Sequence, residues 1–209
     1  MIRHILFDLD CTLYSARYGL EEKVVSRMWQ YLAQYLGISV EEAAVERKKR
    51  NDKYGTTIEW IMAEEGFTDI DDYMAKIHPE DEADSLPPDP ELRRFLEELP
   101  CPCSILTNSP RSHAERIIRK LGLEGIFRNI FDIESGGYRG KPHISVYRRA
   151  LDTLGLLPGE VIFIDDVRRY VDGFIAIGGR GILFDEENAH PDYPHARIKN
   201  LRELVQFLD

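Results

Sequence analysis

No segment of the chain approaches the roughly 18 apolar residues in a row that a membrane-crossing helix needs, so no such helix is expected. The opening MIRHILFDLD holds only a short apolar run before its aspartates, and no secretory leader is expected there. Cysteine is scarce. Cys11, Cys101 and Cys103 form an odd set, and Cys101-Pro102-Cys103 is too tight for an easy disulfide or a usual zinc half-site, which points to a reduced, cytoplasmic setting. The six histidines include no His-x-x-x-His pair and no cysteine-rich companion, so a zinc centre is not expected. Positive charge is also short: 27 Lys and Arg face 37 Asp and Glu, a net −10, which argues against a nucleic-acid polymer or an anionic membrane as partner. An anionic small substrate would need positive charge supplied locally, and a bound metal cation is the obvious source.

What the chain does have is a globular balance, 43% hydrophobic and 31% charged residues, so disorder is not expected; 209 residues suffice for an α/β core carrying a smaller insertion. Short continuous apolar runs, the mark of strands buried on both faces, occur at Ile5-Leu6-Phe7, Ser104-Ile105-Leu106, Val161 to Ile164 and Gly181 to Phe184. The first three end in polar clusters: Asp8 to Thr12, Thr107-Asn108-Ser109, and Asp165-Asp166. Between them lie helical patterns with readable ends. Asp89-Pro90 precedes Leu92, Phe95, Leu96 and Leu99; Pro110 opens a segment that Gly122 closes; Pro142 opens another that Gly155 closes. The alternation predicts a doubly wound parallel sheet, with ligands beyond the carboxyl ends of the strands, where the polar clusters fall. The stretch ENAHPDYPHA reads as a surface loop before a last helix, Leu201 to Leu208.

From about Ser15 to Pro88 the rhythm changes. Val24, Met28, Leu32 and Tyr35 have helical spacing, Ser39 with Glu42 makes a capping box, and Thr56 or Thr57 and then Asp69 cap two further helices. A run of helices after the first strand, ended by SLPPDP, predicts a helical cap domain over 15–88 inserted into an α/β core of 1–14 and 89–209.

Asp8 and Asp10 stand two apart at the end of a strand, so both carboxylates face one small volume, a costly pairing unless a cation or proton lies between them. With Asp8 to Thr12 (DLDCT), Thr107 to Ser109 (TNS), Lys141-Pro142 and Asp165-Asp166 in this order and spacing, the chain resembles the haloacid dehalogenase superfamily, with the cap placed after the first motif. The resemblance implies a magnesium-dependent phosphomonoesterase. Asp8 is then the nucleophile that forms an aspartyl phosphate, and Asp10 the acid/base, its proton held by neighbouring carboxylates. Magnesium would be bound by Asp8, the Asp10 carbonyl and the acidic pair, Asp165 directly and Asp166 directly or through water. Thr107 and the Asn108 backbone N–H would hold phosphoryl oxygens, and Lys141 would offset charge.

YGTTIEWIMAEEG (54–66) and DDYMAKIH (71–78) are similar to cap segments of the pyrimidine 5′-nucleotidase branch, which implies UMP and CMP as first candidate substrates. A sugar phosphate or other small phosphate ester is the alternative; a 2-haloacid dehalogenase or a catalytically silent binding protein ranks lower. Tyr54 is equally suited to stacking on a base and to the cap core, whereas Trp60 is expected in that core. The basic run Glu46 to Arg50 is expected to be a solvated face, and Cys11 to pack rather than react. Val167 and Tyr170 stand where many relatives carry a small polar residue and an asparagine. A cap that opens for substrate places hinges near Tyr14 to Gly19 and Ser85 to Asp89.

Overall fold

The computed structural model describes residues 1–208. Six strands, β1 (His4–Phe7), β2 (Cys103–Leu106), β3 (Ile130–Phe131), β4 (Val161–Asp165), β5 (Arg180–Phe184) and β6 (Ala196–Ile198), form one sheet in the order β3-β2-β1-β4-β5-β6. Every pairing is parallel, as runs buried on both faces require. The four strands with continuous apolar runs lie where the sequence places them. β3 and β6, two and three residues long, are too short to carry a pattern.

After β1 the chain forms α1 (Leu20–Leu36), α2 (Val40–Lys49), α3 (Thr57–Glu65) and α4 (Ile70–Ile77). They gather around a hydrophobic cluster of their own that includes Leu32, Ile58, Trp60, Ile61 and Tyr73. The chain returns through α5 (Pro90–Glu97) to the sheet, where α6 (Arg111–Leu121), α7 (Ile144–Leu154) and α8 (Arg168–Ala176) complete the crossovers. Local chemistry sets the ends. The Ser39–Glu42 capping box is formed on both sides, Thr56 Oγ1 accepts from Glu59 N, and Asp89 Oδ1 accepts from Leu92 N at 2.8 Å with Pro90 in the first turn.

Two expectations shift. Pro142 precedes α7 instead of opening it, because the Asn108 side chain binds both the N–H and the carbonyl of Lys141 and holds that residue out of a helical turn. The last segment is a 3-10 turn, Leu201–Phe207, capped by Asn200, and not an α-helix.

His4 is buried beside Ser104, its Nε2 2.9 Å from the hydroxyl. Burial, reinforced by Arg128, lowers its pKa to about 4. The unfolded chain takes up this proton near pH 6.5, so the stability from a neutral His4 is complete above that pH and is lost as pH falls through about 4. Between about pH 7 and about pH 5 the melting temperature of the wild type should therefore fall faster than that of His4→Gln. Equal slopes would contradict the assignment.

Candidate active site

Strand register builds the site. Phe7 pairs with Ile105 of β2 and Ile164 of β4, so the first residue beyond β1, Asp8, stands between Leu106-Thr107 on one side and Asp165 on the other. Its backbone N–H donates to the Ile164 carbonyl at 2.8 Å, which fixes the turn. The sheet order reverses between β1 and β4, the crevice where doubly wound sheets bind ligands.

Lys141 arrives from the segment before α7. Asn108 Oδ1 accepts from Lys141 N at 2.7 Å and Asn108 Nδ2 donates to Lys141 O at 3.2 Å, a two-point clamp. The buried ammonium lies 2.7 Å from Asp8 Oδ1 and 2.6 Å from Asp165 Oδ2, with the Phe163 and Tyr170 rings behind it at 5.3 and 5.1 Å. Tyr147 holds the Tyr170 carbonyl at 2.8 Å. Thr107 Oγ1 accepts from Ser109 N at 3.0 Å, which leaves its proton free to donate.

Asp8, Asp165 and Asp166 each offer an oxygen within 4.8 Å of the others. When all three carboxylates are ionised, the one ammonium leaves two of their charges unbalanced in a buried volume. Burial first, then Asp165, raises the Asp8 carboxyl well above its ordinary range; burial, then Asp165 and Glu21, pushes Asp166 up to about 8. Burial outweighs Lys141 at Asp165, which is also raised. An all-oxygen, doubly negative donor set fits a hard divalent cation such as magnesium. Asp165 has both oxygens engaged, by Lys141 and by Val167 N at 2.8 Å, whereas Asp166 Oδ1 accepts from Thr12 Oγ1 at 3.4 Å.

Asp10 overturns one expectation. Burial pushes its carboxyl up, but the charge and hydrogen bond of His113, with Tyr14 and Ser109, outweigh it and hold Asp10 well below the usual carboxylate range. Tyr14 Oη and Ser109 Oγ donate to it at 2.6 and 2.8 Å, and His113 Nε2 lies 2.7 Å away. The neighbouring carboxylates do not keep a proton on it.

His78, Glu82 and His113 also bring ligand-type atoms within 4.8 Å, a grouping invisible to His-x-x-x-His spacing. Arg116 Nη2 lies on Glu82 Oε1 at 2.6 Å, so a guanidinium already engages this carboxylate. Sequence reasoning missed the cluster, although His113 stands in register with Ile117 and Leu121 on the buried stripe of α6. A histidine on an apolar stripe was the available signal.

A cavity of about 160 Å3 opens over the site, lined by Asp8, Asp10, Thr107, Asn108, Lys141 and Asp166. Val24, Val25 and Met28 of α1 and Tyr170 form its apolar wall. Tyr54 and Trp60 are absent from that lining; both are buried in the cluster of α1 to α4, with their polar atoms on Glu64. Tyr170 is the aromatic ring facing the cavity. The basic run is only partly a solvated face: Lys48 and Lys49 are exposed, Arg50 pairs with Glu46 and Glu64 over the Trp60 ring, and Arg47 is buried. Cys11 is buried in a left-handed turn at φ +56° and its thiol donates to Glu21, with burial pushing the thiol pKa far up. Asn and Gly adopt such a left-handed turn most readily, so Cys11 is held there against its own preference.

Gly140 is a packing requirement. A Cβ there would lie 2.6 Å from Thr56 Cγ2 and 2.8 Å from Asn108 Oδ1, so Gly140→Ala must displace the clamp on Lys141. The variant should lose activity by about tenfold or more, in line with an ångström-scale misplacement. Unchanged turnover would contradict the clamp.

A family model described as haloacid dehalogenase-like hydrolase matches residues 2–178. Among solved structures, a HAD phosphatase from Thermococcus onnurineus is 20% identical with a TM-score of 0.69, covering 99% of this chain and 98% of that one. The L-2-haloacid dehalogenase from Xanthobacter autotrophicus is 18% identical, with a TM-score of 0.64 and all of both chains covered. A HAD-hydrolase from Bacillus subtilis bound to magnesium is 18% identical with a TM-score of 0.58, covering 100% of this chain and 99% of that one. By the family match over most of its length, by its six-stranded parallel sheet and by the fold it shares with these structures, the chain belongs to the haloacid dehalogenase-like hydrolase family.

Proposed function

We propose that the chain is a magnesium-dependent phosphomonoesterase working through an aspartyl phosphate, with residues 15–88 as its cap over a core of 1–14 and 89–209. The observation that carries this reading is the buried cluster in which Lys141 bridges Asp8 and Asp165, beneath a cavity that Asp10, Thr107 and Asn108 also line. Bound magnesium would supply the positive charge that lets an anionic nucleophile approach an anionic phosphate. Its protein ligands would be the Asp8 carboxylate, the Asp10 backbone carbonyl and the acidic pair, Asp165 directly and Asp166 directly or through water.

Lys141 binds Asp8 Oδ1, which leaves Oδ2 to attack phosphorus. As the Asp8–phosphorus bond forms, the ester P–O bond breaks, its electron pair stays on the leaving oxygen, and Asp10 gives that oxygen a proton. Asp10 rests as a carboxylate and takes that proton up from solvent before the step, while His113 Nε2 holds its Oδ1 at 2.7 Å. Water then attacks phosphorus, Asp10 takes its proton, and the Asp8–phosphorus bond breaks to release phosphate. Thr107 and the Asn108 N–H orient the phosphoryl oxygens, while Lys141 balances their charge.

The cavity suits a small phosphorylated metabolite. Pyrimidine nucleoside monophosphates come first because of the similarity of segments 54–66 and 71–78, with Tyr170 as a ring that lines the cavity. Dehalogenation is the second reading, favoured by the shared fold of a 2-haloacid dehalogenase; the presence of Asp10, Thr12 and the acidic pair weighs against it. The test is phosphate release from UMP, CMP, AMP, GMP and sugar phosphates, with magnesium or with chelator, beside halide release from 2-chloropropionate. Magnesium-dependent phosphate release, strongest with UMP and CMP, is expected. Release spread over other esters would discard the nucleotide assignment, and halide release without phosphate release would overturn the reaction class.

A further inference from the structure

Resting on the phosphomonoesterase reading, we propose that His113 is a positioning residue for Asp10 and that Glu82 sets His113, so that the acid/base geometry depends on the segment following α4. Asp10 sits in the turn after β1 and His113 in the first turn of α6, 103 residues away, yet their contact is 2.7 Å. The other two donors to Asp10 are hydroxyls of Tyr14 and Ser109, whose protons rotate. The imidazole is rigid, and its helix is anchored by the buried Ala114, Ile117 and Leu121.

The ring is 1% exposed, so water does not compete for its second nitrogen. Nδ1 lies 2.7 Å from Glu82 Oε1, close though poorly aligned for a hydrogen bond. Glu82 is itself held by His78 Nδ1 at 2.9 Å and by Arg116 at 2.6 and 3.1 Å, and Arg116 returns to the His78 carbonyl at 3.0 Å. His78 ends α4 and lines the catalytic cavity. The cluster thus ties residues 78–82 to α6 and, through one ring, to Asp10. A buried carboxylate with three partners would be a plain fold-stabilising device if it ended there; its continuation to Asp10 gives it a chemical consequence.

The experiment uses the full chain loaded with magnesium and compares kcat/KM, which reports formation of the aspartyl phosphate, for p-nitrophenyl phosphate and for the best alkyl phosphate. p-Nitrophenolate leaves without a proton, whereas an alkoxide needs one, so misplacing Asp10 penalises the alkyl ester selectively. For His113→Ala the alkyl ester should lose about 10²-fold and p-nitrophenyl phosphate about tenfold less. His113→Gln, which offers an amide N–H toward Asp10, should recover part of the loss. Glu82→Gln should repeat the selective pattern more weakly, and magnesium affinity by calorimetry should stay within about threefold in all three. Wild-type leaving-group dependence in His113→Ala and Glu82→Gln, or equal losses on both esters, would overturn the positioning role. Should His113→Ala fail to fold, His113→Gln and Glu82→Gln carry the same comparison. A wild type that cleaves neither ester would instead overturn the reading beneath it.

Discussion

Replacing Asp8 with asparagine is expected to lower phosphate release by about 10⁴-fold or more, because the amide keeps the shape of the side chain but cannot open a covalent path through phosphorus. The fold should not suffer. Asp8 is buried beside Asp165 and Asp166 with its carboxyl raised, so an uncharged isostere relieves repulsion in the chelated protein. The melting temperature of Asp8→Asn in chelator is therefore expected at or above that of the wild type. A large activity loss without a stability loss marks chemistry. Activity within about tenfold of wild type would remove Asp8 from the nucleophile role.

Lys141→Met is expected to fail on both counts. The methionine fills similar volume beside Phe163 and Tyr170 but leaves Asp8 and Asp165 without their ammonium, and breaking a buried pair from one side costs about 3–5 kcal/mol. Denaturant midpoints in chelator measure the cost, and turnover with magnesium measures the lost charge balance. A change below about 1 kcal/mol would show that the three carboxylates do not depend on this lysine.

These two variants touch the part of the site that the sequence makes visible. Asp8 and the Asp165-Asp166 pair fall at the ends of apolar runs and Lys141 shortly before a helix, where spacing has meaning for a doubly wound sheet. The parallel register then brings β1 and β4 together and delivers Asp8 to Asp165. What was not legible is the surroundings of Asp10. Tyr14 is near in sequence, but Ser109, His113 and Glu82 come from α6, the turn before it and the segment after α4, and no local period links them. Their effect reverses the expected state of the Asp10 carboxyl.

The inserted helices show the same division. Trp60, on α3, reads as core because a large aromatic between Ile58 and Ile61 has little else to do, and it is buried there. Tyr54 sits in a loop whose course depends on Gly55 passing against the Gly140 and Lys141 carbonyls, where a Cβ would come within 2.8 Å of both. That close passage carries the segment over the core while Tyr54 turns inward to its own cluster, and Tyr170 is left as the ring at the cavity. Side-chain direction in a loop follows from such contacts and not from periodicity.

The covalent step is the claim on which the rest depends. Wild-type protein with magnesium should be mixed with its best phosphate ester, quenched in acid during turnover, and digested for mass analysis of the peptide that contains Asp8. The account predicts a fraction of that peptide heavier by one phosphoryl group, absent in Asp8→Asn. Steady phosphate release with no such adduct on any quench time would contradict it.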